Sequence, residues 1–229
     1  MNHEPTDSPD DQAAPTFVQF RPSKPGPLVV IVPSIFGVSP DVEHCANRFS
    51  ARGALVYAMD PFWRDGNGPL RIPEDGKRAM ARLKRVSDAD VLNDLLKLCA
   101  AGLGHERCNG KLILLGVCFG GRFVVKASHH VHTDGVAVWH GAGLLPELSN
   151  EALANTKVSL DFGAQDPLIP PAEVAAIQEK MSGSTATIRV HDHCGHGFTH
   201  WGTERCVPEA AEAAAKSVLA LIDQLVGGN

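Results

Sequence analysis

The stretch at residues 112–122, Leu-Ile-Leu-Leu-Gly-Val-Cys-Phe-Gly-Gly-Arg, constrains this chain more than any other. An apolar run stops abruptly in a glycine-punctuated turn, and a helical pattern follows. That is the strand–turn–helix setting of a nucleophile elbow, with Cys118 where the Gly-x-Ser-x-Gly pattern has serine. The turn is too tight for side chains at Gly116 and Gly120, which would meet each other and the neighbouring strands. A thiol at its tip is pushed into the open beside the positive end of a new helix, where a thiolate is favoured. Taken alone, Gly-x-Cys-x-Gly is as readily a buried thiol before a Gly-rich turn.

The surrounding pattern is that of an α/β protein. Residues 27–33, 54–59, 135–140, 157–162 and 185–191 read as strands, the first a continuous β-branched run suited to burial on both faces. Helical patterns lie between them at 40–51, 77–101 (with a break near Ser87 and Asp88), 122–132, 171–181 and 208–225. Alternating strands and helices imply a mostly parallel sheet with helices on both faces. Residues 1–15, rich in Asp, Pro and Ser, read as a mobile tail, and 16–229 as one domain. Residues 62–75 form a loop at the C-terminal side of the sheet, placed to line a pocket.

Three loops that follow strands carry Cys118, Asp166 and His196, in the chain order of α/β-hydrolases. A thiol with an ordinary pKa is only partly ionised at neutral pH, so an imidazole must take its proton. A carboxylate on the other ring nitrogen holds that imidazole in the useful tautomer. Asp166 in Gln-Asp-Pro is by itself an ordinary turn residue, and His196 an ordinary loop histidine. Their joint order argues for chemistry.

These residues resemble the dienelactone hydrolases (carboxymethylenebutenolidases), cysteine members of the α/β-hydrolase superfamily. The resembling stretches are Ile35-Phe36-Gly37, Asp60-Pro61-Phe62, Gly116-Val117-Cys118-Phe119-Gly120-Gly121, Phe162-Gly163-Ala164-Gln165-Asp166 and Gly195-His196-Gly197-Phe198. The resemblance implies an α/β-hydrolase fold and hydrolysis of small esters or lactones, with Cys118 as nucleophile, His196 as base and Asp166 as orienting acid. It places the oxyanion hole at the backbone N–H groups of Ile35 and Phe119. Two positions depart from the family. Ser34 stands where the family has a glutamate that helps regulate the thiol, and His200 where it has an arginine for a substrate carboxylate. Arg78, Arg82 or Arg85 is then a candidate for carboxylate contact, although a solvated helix face is the commoner role of such charges. Phe36, Trp139 and Trp201 are candidate pocket residues.

Other readings stay open. Residues 191–196, His-Asp-His-Cys-Gly-His, are dense in metal-ligand types, with three more histidines at 129, 130 and 132. No separated ligand set with a known zinc spacing accompanies them, so no metal and no cofactor is expected. A metal-assisted or non-catalytic member of the fold that binds a small molecule is the alternative. A net charge of −5 and a pI near 6.1 argue against nucleic acid as a partner. No apolar stretch reaches the roughly 18 residues of a membrane helix, and no secretory signal opens the chain. Six cysteines without paired spacing fit a reducing compartment, so a cytoplasmic monomer or homodimer acting on a small molecule is expected.

Overall fold

The computed structural model describes residues 15–66 and 68–227. The expected tail at 1–15 lies outside the described residues, apart from Pro15. The elements run β1 (Phe17–Phe20), β2 (Gly26–Val32), α1 (Pro40–Ala51), β3 (Leu55–Met59), α2 (Gly76–Leu83) and α3 (Asp88–Leu103). Then come β4 (Cys108–Val117), α4 (Gly120–Ser128), β5 (Gly135–Trp139), β6 (Lys157–Gly163), α5 (Pro171–Lys180), β7 (Thr187–His191) and α6 (Pro208–Val226). They build one seven-stranded sheet in the order β1-β3-β2-β4-β5-β6-β7. All pairings are parallel except β1 with β3, which is antiparallel. This is the mostly parallel, doubly covered sheet of an α/β-hydrolase.

Period-two alternation divides the core. Leu28, Val30 and Val32 of β2 face one layer with Leu112 and Leu114 of β4, while Val29, Ile31, Ile113 and Leu115 face the other. The first layer is closed by Val91, Leu95 and Leu98 of α3, Phe123 and Ala127 of α4, and Val174 and Ile177 of α5. The second is closed by Val42, Ala46 and Phe49 of α1 with Ala210, Ala214, Val218 and Ile222 of α6. Each fully buried Leu, Ile, Val or Phe contributes about 1.5–3 kcal/mol. The layers hold the strand ends in fixed relation, so the loops beyond them start from a rigid frame.

The structure departs from the sequence reading in three places. The edge strand β1 was not expected, because its Phe-Val-Gln-Phe is short, half-buried and adjoins a polar segment. Strand β4 starts at Cys108 rather than 112, since its polar first residues gain ladder bonds beside β2 at one point, Gly26 against Cys108. The helix expected over 122–132 ends at Ser128, and the break expected near Ser87 is real: the Ser87 hydroxyl accepts from Asp90 N–H and starts α3. Among the described residues, no helix is long and apolar enough to cross a membrane.

Candidate active site

The glycines of the elbow have the cause anticipated from sequence. A Cβ on Gly116 would lie 2.7 Å from the carbonyl oxygen of Gly120, and one on Gly120 only 2.0 Å from that of Val32 on β2. The turn can thus close only with hydrogen at both positions. Between them Cys118 adopts φ 52°, held by its N–H on Trp139 O at 3.0 Å and its carbonyl on Gly121 N–H at 3.1 Å. A left-handed conformation in a residue with a side chain costs about 1–3 kcal/mol and survives only where its surroundings enforce it.

The three strand-end loops bring their side chains together. His196 Nε2 lies 3.0 Å from Cys118 Sγ, and His196 Nδ1–H donates to Asp166 Oδ2 at 2.7 Å. Asp166 is buried, and its other oxygen accepts from Leu168 N–H at 2.8 Å, so the carboxylate cannot swing away. Burial opposes a charge on His196, but its bonds to Asp166 and Cys118 outweigh that cost and push its pKa up to about 9. Elsewhere, burial pushes the thiols of Cys45 and Cys99 up to about 12, leaving them inert at neutral pH.

The loop after β2 passes close to the elbow. Ser34 is buried, and its hydroxyl accepts from Phe36 N–H at 3.4 Å. The carbonyl of Ile35 takes two bonds from Arg82, from Nε at 3.0 Å and Nη2 at 2.8 Å. Among the described residues, neither Ile35 N–H nor Phe119 N–H donates to a protein acceptor. Both lie in loops that end neighbouring parallel strands, β2 and β4.

The expected substrate contacts are placed less uniformly. Arg82 is buried: besides Ile35 it donates from Nη1 to Gly68 O at 2.8 Å, and its guanidinium sits 4.0 Å above the Phe62 ring. It staples two loops together instead of offering a free fork. Arg78 is exposed and turned to Asp75 at 3.2 Å. His200 is buried, its Nδ1 2.7 Å from Asp41 Oδ2 and its ring edge-on to Phe36. Trp139 is buried in the core beside the elbow, while Trp201 packs against His44 and Arg48 of α1. A cavity of about 250 Å³ opens beside Phe62, Arg64, Arg82 and Arg85, and none of Cys118, Asp166 and His196 lines it. Phe62 nevertheless packs 5.5 Å from Phe119.

Among the described residues, those dense in metal-ligand types do not converge on one another. His191 Nε2 binds Asp161 Oδ1 at 2.8 Å, whereas Asp192 and His193 are exposed. One histidine at the site was not singled out from sequence. His140 follows β5, is fully buried, has φ 38°, and packs its ring 4.8 Å from that of His196. Burial, and then the His200 and His196 rings, keep its pKa well below the ordinary imidazole range. Its signal was positional: like Cys118, it is the first residue past a strand's C-terminal end.

A model describing the dienelactone hydrolase family matches residues 16–226. A carboxymethylenebutenolidase of Pseudomonas sp. strain P51 is 23% identical over 204 residues, covering 87% of this chain and 85% of its own. That of Pseudomonas putida is 25% identical over 195 residues, covering 83% and 82%. Among solved structures, a proposed dienelactone hydrolase from Klebsiella pneumoniae superposes with a TM-score of 0.78 at 23% identity over 97% of this chain and 98% of that one. A dienelactone hydrolase from Anabaena variabilis gives 0.68 at 13% identity over 98% of each.

Proposed function

We propose that this chain, which belongs to the dienelactone hydrolase family, is a cysteine-dependent hydrolase of small esters or lactones. The observation that carries the reading is His196, set between Asp166 at 2.7 Å and Cys118 at 3.0 Å. In the first half-reaction Cys118 Sγ attacks the acyl carbon while His196 Nε2 holds the proton of the thiol–imidazole pair. The charge that develops on the carbonyl oxygen is met by the N–H groups of Ile35 and Phe119, both without a protein acceptor among the described residues. Collapse of the tetrahedral intermediate expels the alkoxide, which takes the proton from His196. In the second half-reaction His196, now neutral, takes a proton from water as it attacks the thioester, and the acid leaves from Cys118. Asp166 keeps Nε2 aimed at both reactions.

The substrate is a neutral ester or lactone in preference to a carboxylated one. Ser34 stands in the place of the family's glutamate and has its hydroxyl on Phe36 N–H. His200 stands in the place of its arginine and is closed against Asp41. Arg82 makes three hydrogen bonds to backbone carbonyls and stacks on the Phe62 ring, so no free guanidinium is directed at the elbow from these positions. The test compares kcat/KM for a carboxylated lactone and its neutral analogue, together with intact-mass detection of an acyl group on Cys118. Preference for the carboxylated lactone at pH 8 would overturn the substrate assignment; an acyl group elsewhere, or turnover without one, would overturn the mechanism.

A further inference from the structure

His140 is more elaborate than a core histidine needs to be. Its Nε2 is 2.8 Å from Thr199 Oγ1, but its Nδ1 is buried without any partner among the described residues. A buried polar atom left unpaired costs about 1–3 kcal/mol, and the left-handed backbone at the same residue costs a similar amount. Cys118 Sγ and one nitrogen from each of His140 and His196 lie within 4.8 Å of one another. Among the described residues this is the one such group of His, Cys, Asp and Glu compact enough to share an ion.

We propose that Cys118, His140 and His196 form a three-ligand site for a thiophilic divalent cation, zinc above all, and that the ion switches the hydrolase off. The nucleophile and its base alone supply two ligands; the third imidazole converts them into a thiolate–bis-imidazole set. Zinc bonds are about 2.3 Å to sulfur and about 2.0–2.1 Å to nitrogen, which places tetrahedral ligand atoms about 3.5 Å apart. Cys118 and His196 are already inside that separation, at 3.0 Å, and His140 closes the rest by about 1 Å of side-chain rotation. Both imidazoles carry the outer-shell partner of a metal-binding histidine, Asp166 on one and Thr199 on the other, each engaging one nitrogen and leaving the other to the ion. Sulfur and imidazole select zinc or cobalt over magnesium and calcium, which need oxygen ligands. When the ion binds, a bond forms to Sγ and to each ring, and the proton of the Cys118–His196 pair passes to solvent. The sulfur lone pair and the Nε2 needed for proton transfer are then both occupied, so hydrolysis stops. A chelator restores turnover.

The test is a titration of the metal-stripped full-length protein with Co²⁺, followed by its thiolate charge-transfer band in the near ultraviolet, with Zn²⁺ as competitor. The expected result is one equivalent bound, displaced by Zn²⁺, and ester turnover inhibited over the same zinc range. C118A should lose the charge-transfer band. H140N should weaken zinc by more than about a hundredfold, since loss of even an outer-shell partner typically costs 10- to 100-fold. T199V, which leaves all three ligands, should weaken it by about tenfold, and decides the matter should H140N not fold. Unchanged affinity in a folded H140N, or in T199V should H140N not fold, would overturn the proposal, as would a charge-transfer band surviving in C118A or no binding below millimolar metal. The spectroscopic readout does not depend on the protein being an esterase.

Discussion

Two histidine–carboxylate pairs of identical length sit within a few residues of one another. His196 meets Asp166 at 2.7 Å, and His200 meets Asp41 at 2.7 Å. What differs is the other edge of each ring. That of His196 reaches Cys118 at the tip of a strained turn, and its side chain keeps 12% exposure. The ring of His200 is closed in by Phe36 and His140, with 2% exposed. Asp41 is also tied to Ser39 Oγ at 2.5 Å, at the start of α1. The lesson is that an imidazole–carboxylate bond confers no chemistry by itself. The first pair is aimed at a thiol, that of Cys118; the second fastens the loop after β7 to the helix after β2.

The comparison breaks most sharply at the thiol. C118A should lower kcat/KM for a small ester by at least about a hundredfold, because no other nucleophile stands at the elbow. Turnover retained in that variant would mean the first pair is no more catalytic than the second. Next in size is D166N, for which a smaller but still large fall in kcat is expected, because the imidazole loses the carboxylate that fixes its tautomer. The pH profile sharpens this. His196 holds its proton up to about 9 because Asp166 and Cys118 outweigh its burial. With an alkyl ester, whose alkoxide needs that proton, kcat/KM should therefore fall as pH rises through about 9. Removing the Asp166 charge removes a raising influence, so the midpoint in D166N should move down. A pH-rate profile from 6 to 10 on both proteins checks the sign.

A smaller effect is expected at Arg82, whose two bonds to Ile35 O fix the loop facing the first pair. R82K keeps the charge but loses the planar fork. Its kcat should fall about tenfold, within the range of a weakened oxyanion donor, while alkylation of Cys118 by iodoacetamide, which develops no oxyanion, should proceed at the wild-type rate. Equal losses in both assays would mean that the whole site had shifted. The smallest catalytic effect belongs to D41N. It takes the charge out of the second pair and leaves one acceptor oxygen for the two groups that Asp41 serves, Ser39 Oγ and His200 Nδ1, a cost of about 1–3 kcal/mol. Thermal denaturation should report that as about 2–4 °C per kcal/mol for a protein of this size, with kcat/KM within about threefold of wild type. A collapse of activity in folded D41N would erase the distinction between the two pairs.

Much of the fold was legible because burial writes a local signature. The β-branched run of β2, the glycines of the elbow and the proline openings of α1, α5 and α6 each encode their own geometry over a few residues. So do Cys118, Asp166 and His196, since each follows a strand recognisable from its own residues. Strand β1 was missed because its place is decided by pairing with β3, more than thirty residues away.

Contacts between distant segments left no such mark. Asp41 reads as an ordinary acid in the first turn of a helix, and only the packing of α1 against the loop after β7 shows that it engages His200. Arg82 reads as one charge among several on α2, and only the folded loops turn it inward onto Ile35 O and Gly68 O. His140 became part of the site only when parallel pairing of β4 with β5 set the residue after one strand beside the residue after the other. The sequence by itself determined the elbow, the order of Cys118, Asp166 and His196 and the layered sheet, because backbone sterics and hydrophobic period act over neighbouring residues. The tertiary structure alone decided which charges are spent in the interior and which rings meet the thiol. Those depend on where separate loops converge, and no short-range pattern specifies that.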